Sequence, residues 1–231
     1  MNARYLCCFV MVSAVLSRPV LSQGFVNLNF ESANLSGYAP GTVEVPITNA
    51  LPGWSASYIS TQYGTNTSSV VGYDIISIGG TAISVNDTNR FQFVPFKGKF
   101  SAWLFGSGMG SSGGPFAIST EISQTGLVPS GTESLLMDVY AWDGFLVTLG
   151  GQTINMIPLQ TFSNYTLYGG DISMFQGQIA TLSLIAPGTS SPNAVEFDQI
   201  SFSQNAVPEP RILNFFSICV VFWSWRNLRR G

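Results

Sequence analysis

Histidine is absent from this 231-residue chain, which also has only nine lysine and arginine residues. Without histidine, neither a Ser-His-Asp triad nor a Cys-His nucleophile pair can form, and most zinc sites lose their usual ligand. The commonest general base is missing as well. A pair of carboxylates, as used by glycoside hydrolases, is the acid–base machinery that remains.

Cysteine is scarce and confined to the two ends of the chain. Cys7 and Cys8 lie near the N-terminus, and Cys219 lies near the C-terminus. The residues between them cannot form a disulfide, even in an oxidising compartment. Cys219 stands within an apolar run, where it is expected to act as a small hydrophobic residue.

Positive charge is nearly missing from the middle of the chain. Residues 23–205 contain three basic side chains, Arg90, Lys97 and Lys99, against eleven acidic ones, which gives a net charge of −8. The whole-chain value of −3 hides this imbalance, because the other basic residues lie near the ends. So few cations exclude nucleic acid as a partner and suit a cation-binding or polysaccharide-rich exterior.

The first 22 residues have the pattern of a secretory signal peptide. Arg4 provides a positive start, and residues 5–16 are apolar apart from Ser13. Residues 20–22 suit a signal peptidase, so cleavage is expected after Ser22. The apolar stretch is too short to span a membrane as a helix. The pattern predicts a signal helix, residues 1–22, that directs export of the rest of the chain.

Three features follow one another in residues 206–231. The motif Val207-Pro208-Glu209-Pro210 precedes an apolar run of 14 residues, 212–225, and a basic end. The run is shorter than the about 20 residues of a stable spanning helix, which suits a segment held in the membrane only until it is processed. The basic residues belong on the cytoplasmic side, so the domain before the run is expected outside the cytoplasm. These basic residues are Arg226, Arg229 and Arg230.

This tail resembles the PEP-CTERM sorting signal of Gram-negative bacteria. The elements that carry the resemblance are Pro208-Glu209-Pro210, the apolar run and Arg229-Arg230. The resemblance implies an exosortase-type enzyme as a partner and the inner membrane as the location before processing. It further implies export through the inner membrane to the cell envelope, outer surface or extracellular matrix, in association with exopolysaccharide and biofilm.

Short alternating stretches predict β-strands throughout residues 23–205. Residues 145–149 and 153–156 flank Gly150-Gly151, and residues 75–78 and 82–85 flank Gly79-Gly80, so two tight hairpins are expected. No stretch shows a convincing helical period. About a dozen short strands predict one all-β domain, an antiparallel β-sandwich of jelly-roll type. A signal helix precedes it and a short apolar helix follows it.

The last predicted strand poses a problem of parity. Glu196 and Asp198 alternate with Val195 and Phe197, yet share parity with Ile200 and the residues after it. Two carboxylates would then lie on the same face as core residues, which is costly for unpaired charges. Either a bulge near Asp198 reverses the register, or the carboxylates have a partner such as a hard cation.

A second resemblance concerns the edges of the domain. Asn27 to Glu31, Gly53-Trp54 and the strand from Glu196 to Phe202 are similar to motifs of carbohydrate-binding-module jelly rolls. In such modules, acids on the first and last strands often hold a structural calcium. The resemblance implies Glu31 and Asp198 as calcium ligands here, with Glu196 as a third candidate. The alternative is an ordinary strand pair with solvent-facing acids.

Aromatic side chains provide candidate sugar-stacking faces. Most aromatics of a small sandwich are expected in the core. Tyr58 and Tyr63 border the Ser/Thr/Asn-rich stretch 60–69 and are the preferred candidates for ligand binding. The other aromatics weighed for this role are Trp54, Trp103, Trp142 and Tyr168.

Three functions remain, and the first is an exported, non-enzymatic envelope or matrix protein sorted by its tail. The alternative is a carbohydrate-binding module that attaches to exopolysaccharide. The remote alternative is a carboxylate-based glycoside hydrolase or lyase, with Asp138 and Asp143, or Asp171, as the acids. Asp143-Gly144 is typical of a turn and Gly170-Asp171 of a loop cap, which favours non-catalytic roles.

Overall fold

A computed structural model describes residues 24–77, 80–87, 95–107, 117–189 and 191–207. The proposed signal peptide, residues 1–22, lies outside this range. Val207 is the last described residue, so Pro208, Glu209, Pro210, Arg229 and Arg230 also lie outside it. Among the described residues, no helix combines the length and the apolar character that a membrane crossing requires.

The described residues form fourteen strands, one short α-helix and one 3₁₀ turn. The helix is α1 (Ile47–Ala50), and the 3₁₀ turn is Ser173–Phe175. The strands are β1 (Val45–Pro46), β2 (Ser55–Ser60), β3 (Gly64–Ser68), β4 (Val70–Tyr73), β5 (Ala82–Asp87), β6 (Phe100–Gly106), β7 (Ile118–Leu127), β8 (Ser134–Ala141), β9 (Leu146–Leu149), β10 (Gln152–Thr153), β11 (Ile157–Thr161), β12 (Thr166–Asp171), β13 (Ile179–Ala186) and β14 (Asn193–Ser203).

The strands make two sheets. The eight-stranded sheet has the order β1-β4-β5-β6-β14-β8-β12-β11, and the six-stranded sheet has the order β10-β9-β13-β7-β2-β3. Between them lies one hydrophobic core, to which Leu104, Leu184 and Phe197 contribute fully buried side chains. Each long strand therefore places alternate residues in the core and the others on an outer face. The all-β, two-sheet prediction is confirmed.

One of the two predicted hairpins is confirmed. β9 and β10 pair antiparallel across Gly150 and Gly151, which have φ values of 58° and 78°. Positive φ at both central residues is what a tight hairpin turn requires, and glycine adopts it without steric cost.

The other predicted hairpin is wrong. Residues 75–77 form no strand, and β5 pairs parallel with β4 and antiparallel with β6. The Ile75 side chain instead packs beside Gly72, and Ile76 packs against the outer face of the eight-stranded sheet. The apolar pattern of this segment reflects packing onto a sheet rather than pairing within one. The prediction of purely antiparallel pairing is wrong at this point too.

The parity problem in β14 is solved by a β-bulge. Asp198 is opposite Asp138 of β8, but Ser201 is opposite Leu136, so β14 contains one extra residue at this point. Gln199, inside the bulge, has a φ of 50°. Val195, Phe197 and Ile200 consequently all reach the core, while Glu196 and Asp198 point to the outer face of the eight-stranded sheet.

Candidate functional site

Three carboxylates lie close together on the outer face of the eight-stranded sheet. Asp138, Glu196 and Asp198 are 1%, 1% and 0% exposed. Asp138 and Asp198 are direct cross-strand partners, and Glu196 is two residues from Asp198 on the same strand. Like charges in such positions destabilise a sheet unless they are neutralised or hydrogen-bonded.

Each of the three acids has a specific partner. Lys97 Nζ lies 3.0 Å from Asp138 Oδ2. The Ser101 hydroxyl donates to Glu196 Oε1 at 2.6 Å. Asp198 accepts backbone N–H groups from Lys97, at 3.2 Å, and from Gln199, at 2.7 Å. One ammonium and a few hydrogen bonds thus serve three buried carboxyl groups.

Burial shifts the protonation of two of these acids strongly. It raises the pKa of Glu196 to about 8, against the lowering effect of the Ser101 hydroxyl. Burial likewise raises the pKa of Asp198 to about 7, and the nearby Asp138 adds to the increase. The pKa of Lys97 is raised by its contact with Asp138. Near neutral pH, Glu196 therefore holds its proton while Lys97 is charged.

Glu31 and Asp198 converge on one turn, residues 97–100. Glu31 Oε1 accepts the backbone N–H groups of Lys99, at 2.8 Å, and Phe100, at 3.0 Å. Asp198 accepts the N–H of Lys97 in the same turn. A Cβ at Gly98 would collide with the Glu31 carboxylate, and the φ of 76° at this position also favours glycine. The two acids singled out for calcium therefore hold the same turn.

The calcium prediction remains a prediction. Glu31, Asp198 and Glu196 each accept hydrogen bonds from separate N–H or O–H donors. Within the described ranges, no three acidic, cysteine or histidine side chains gather in a way that would hold a metal ion. In this arrangement N–H groups of the turn are bonded to Glu31 Oε1 and Asp198 Oδ2.

The two preferred aromatic residues differ in their surroundings. Tyr58 is half-buried, hydrogen-bonds to the backbone of Ile83, and has a raised pKa because of burial. It lines a cavity of about 300 Å³ together with Glu44 and Thr81. Tyr63 is 71% exposed and lies in the turn between β2 and β3. Tyr58 has a largely structural role, whereas Tyr63 presents its ring to solvent.

A more organised aromatic site lies in the loop that joins β8 to β9. The Trp142 side chain is exposed, with the residue 41% accessible, and the backbone N–H of Trp142 donates to Ala194 O at 3.0 Å. Asn193 is 1% exposed, and its side chain holds the backbone of this loop through hydrogen bonds. Its Oδ1 accepts the Asp143 N–H at 3.1 Å, and its Nδ2 donates to Gly144 O at 2.9 Å. We call residues 142–145 the Trp142 loop.

The carboxylate of this loop is also fixed in position. Asp143 Oδ2 lies 2.9 Å and Ser191 O 2.8 Å from the Thr189 hydroxyl oxygen, whose single proton the two acceptors share. Asn193 Nδ2 also lies 3.3 Å from Pro187 O, which ties the Trp142 loop to the segment before β14. An exposed indole and an exposed carboxylate are therefore presented on a preorganised backbone.

A cavity of about 360 Å³ opens beside the Trp142 loop. Its walls are about equally polar and apolar, and the side chains of Thr153 and Asn155 are among the polar groups. Concave sites that combine apolar walls with a few fixed polar groups are typical of small-ligand binding. The lining residues are Gly144, Phe145, Leu146, Val147, Thr153, Ile154, Asn155 and Met156.

The acids considered for glycoside hydrolysis do not come together. Asp138 is buried in the middle of β8 beside Lys97. Asp143 follows the end of β8 in the Trp142 loop, whereas Asp171 pairs with Ser134 at the opposite end of that strand. Asp171 Oδ1 accepts the N–H of Ser173, which lowers the pKa of Asp171. Each acid therefore has a local structural contact.

Trp142 is one of several aromatics that the sequence offers for ligand binding, of which Tyr58 and Tyr63 are the preferred candidates. The local signal at Trp142 is the following Asp143-Gly144, which is typical of a turn. The residue that makes the turn rigid, Asn193, is 50 residues away from Asp143 in the chain. Its contribution depends on the pairing of β14 with β8 and could not be inferred from the local sequence.

Comparison with known proteins shows no family for this two-sheet, all-β chain. No family model matches it, and no curated protein sequence matches it. Among solved structures, TmCBM61 in complex with β-1,4-galactotriose has 12% sequence identity and a TM-score of 0.43, covering 80% of this chain and 100% of that one. A β-glucosidase from Kluyveromyces marxianus, in complex with glucose, has 9% identity and a TM-score of 0.30, covering 77% of this chain and 18% of that one.

Proposed function

We propose that this protein is an exported, non-enzymatic β-sandwich of jelly-roll type that binds polysaccharide through the Trp142 loop. The observation that carries the proposal is the geometry of that loop. Its indole is exposed, its backbone is fixed by the buried Asn193, and a cavity of about 360 Å³ lies beside it.

This combination suits a sugar ring better than the other ligand classes. An exposed indole provides a flat apolar face against which the C–H groups of a pyranose can pack. The neighbouring Asp143 carboxylate accepts hydrogen bonds, which sugar hydroxyls donate. A preorganised loop loses little conformational entropy on binding. The acidic domain also argues against a nucleic acid or an anionic membrane as the ligand.

Replacing Trp142 with alanine is expected to weaken oligosaccharide binding by roughly thirtyfold or more, since a tryptophan that becomes buried against its ligand contributes about 2 kcal/mol or more to binding. Calorimetric titration with neutral β-linked oligosaccharides, β-1,4-galactotriose among them, provides the measurement. Titrations with and without calcium test the predicted metal at the same time.

Tyr63→Ala is the matched control, because it removes an exposed aromatic ring at the turn between β2 and β3. It is expected to bind like the wild type. Loss of binding in Tyr63→Ala but not in Trp142→Ala would move the site to that turn. No binding by the wild-type protein to any oligosaccharide would contradict the proposed function.

We further propose that the C-terminal signal, residues 206–231, directs the protein to the envelope or matrix through an exosortase-type enzyme. The support is the Pro-Glu-Pro motif, the short apolar run and the terminal arginines. The domain itself has only three basic residues with which to hold an anionic membrane. Retention before processing therefore depends on the tail.

Deleting residues 208–231 is expected to release the domain into the medium, because no other segment would hold it at the membrane or mark it for processing. Fractionation and immunoblotting of a Gram-negative host that has an exosortase measure the distribution. The control is Cys219→Ser, which keeps the tail and should keep the wild-type location. Unchanged surface retention of the deleted protein would contradict the sorting proposal.

A further inference from the structure

The outer face of the six-stranded sheet carries hydroxyl side chains in direct register. One row crosses five strands, and each member is the cross-strand partner of the next. With neighbouring strands about 4.8 Å apart, the row is roughly 19 Å long. Its members are, in order, Thr153, Thr148, Ser183, Ser123 and Ser55. We call this the hydroxyl row.

Further hydroxyls lie on either side of the hydroxyl row. Thr125 and Thr181 are cross-strand partners with their oxygens 2.7 Å apart. Ser57 is opposite Thr67 on the other side. Glu121 is the one acidic side chain on this face within the described strands, and the three basic residues of the domain lie elsewhere in the sequence. The face is therefore nearly uncharged, and its hydroxyls are interspersed with apolar side chains, namely Leu146, Ile179 and Ile185.

Two of these hydroxyl residues are largely buried and form no side-chain hydrogen bond within the part of the chain that the structure describes. Ser57 and Ser183 are 8% and 7% exposed. Their strand neighbours Ala56, Leu182 and Leu184 belong to the core, so both hydroxyls point outward. A polar group that is mostly desolvated and unpaired gains more from an external partner than one already hydrated.

We propose that this outer face binds the flat surface of an ordered, uncharged polysaccharide. The inference deepens the proposed function, on which it rests, by assigning a polymer class and a second contact surface. Thr153, at one end of the hydroxyl row, also lines the cavity beside the Trp142 loop. A chain held at the loop can therefore continue across the sheet.

Charge and shape together select this occupant. The domain has a net charge of −8, but this face has a single carboxylate and therefore repels an anionic polymer less than other surfaces do. Within the described strands, the face also provides no lysine or arginine with which an anionic polymer could pair. Neutral sugar hydroxyls can both donate to and accept from serine and threonine side chains. Each such contact is weak, so a rigid polymer that meets several rows at once is favoured over a short soluble sugar.

The test compares particles with soluble sugar. Ser123→Lys and Thr148→Lys place a long charged side chain within the hydroxyl row, and Ser201→Lys places one at an exposed position of the other sheet. Pull-down with microcrystalline cellulose and chitin measures binding to ordered, uncharged polymers. Both row variants are expected to lose roughly tenfold or more in particle affinity, since several contacts are lost together.

Several controls make that result interpretable. Ser201→Lys and Ser123→Thr, which keeps the hydroxyl, should bind particles like the wild type. All variants should keep the wild-type melting temperature and the wild-type affinity for soluble oligosaccharide. Particle binding should also be insensitive to salt, since no ion pairs are involved.

The outcomes separate this inference from the proposed function. If the row variants bind particles like the wild type while Trp142→Ala does not, the inference is overturned and the loop site stands. If only the row variants lose binding, the loop site is wrong and the face stands. Salt-sensitive binding to alginate in place of neutral particles, or a concentration-dependent dimer that Ser123→Lys dissociates, would overturn the inference.

Discussion

The free energy of unfolding is expected to fall as the pH rises from 5 to 8. Glu196 and Asp198 have pKa values of about 8 and about 7 in the folded protein, against ordinary values of 4.5 and 3.8. At pH values between the ordinary pKa and the raised pKa of each acid, the folded state retains a proton that the unfolded chain has released. Each such group lowers stability by about 1.4 kcal/mol per pH unit.

The sign follows from the direction of the shifts. For both groups the stability contribution is fully present below the unfolded pKa and is lost as the pH rises through the folded pKa. The steepest loss is therefore expected between about pH 5 and pH 7, where both groups contribute. Asp171, with its lowered pKa, acts in the opposite direction, at lower pH.

Glu196→Gln isolates one part of this effect. The amide has nearly the same shape, carries no titrating proton and can still accept from Ser101. Urea unfolding at half-unit pH steps should show a shallower decline in this variant, ending near pH 7 rather than pH 8. Glu44→Gln, at an exposed position, is the control and should leave the wild-type slope unchanged. A wild-type stability that is constant or rising from pH 5 to 8 would contradict the prediction.

Asn193→Ala is expected to destabilise the fold by about 2 to 4 kcal/mol and to abolish the loop site. Alanine leaves three backbone groups without their partners, namely the Asp143 N–H and the carbonyls of Gly144 and Pro187. Each unsatisfied group costs about 1 to 3 kcal/mol, reduced where water can enter. The Trp142 loop then loses the support that fixes its indole.

Two measurements distinguish these effects. Urea unfolding gives the loss of stability, and calorimetry well below the melting temperature gives the loss of affinity in protein that is still folded. Asn205 is exposed and lies just after the end of β14, so Asn205→Ala should change stability by less than about 0.5 kcal/mol. If Asn193→Ala retained wild-type sugar affinity, preorganisation of the loop would not matter for binding.

Local sequence patterns predicted much of the fold. The Gly150-Gly151 hairpin formed because glycine alone adopts positive φ freely at both turn positions. The prediction of a second hairpin at Gly79-Gly80 is wrong. An apolar stretch beside a Gly-Gly pair can either pair within a sheet or pack on its face, and the sequence pattern is the same in both cases. Ile75 and Ile76 do the latter.

The parity of β14 shows how far such reasoning extends. Alternation alone required either a bulge or a partner for Glu196 and Asp198. The bulge is present, and it sends both acids to the outer face. Alternation could not identify the hydrogen-bond partners of Glu196 and Asp198, because Lys97 and Ser101 are about 100 residues away in sequence. Only strand order brings them together.

The sequence by itself determined the all-β class and the acidic, histidine-free character of the domain. It also predicted the signals at the two ends of the chain. These features depend on composition and on local periodicity, which tertiary structure does not alter. The pairing of β14 with β6 and β8 decided which acids are buried and which residue holds the Trp142 loop. The register of five strands decided that scattered serines and threonines form one row, because cross-strand alignment depends on contacts distant in the chain.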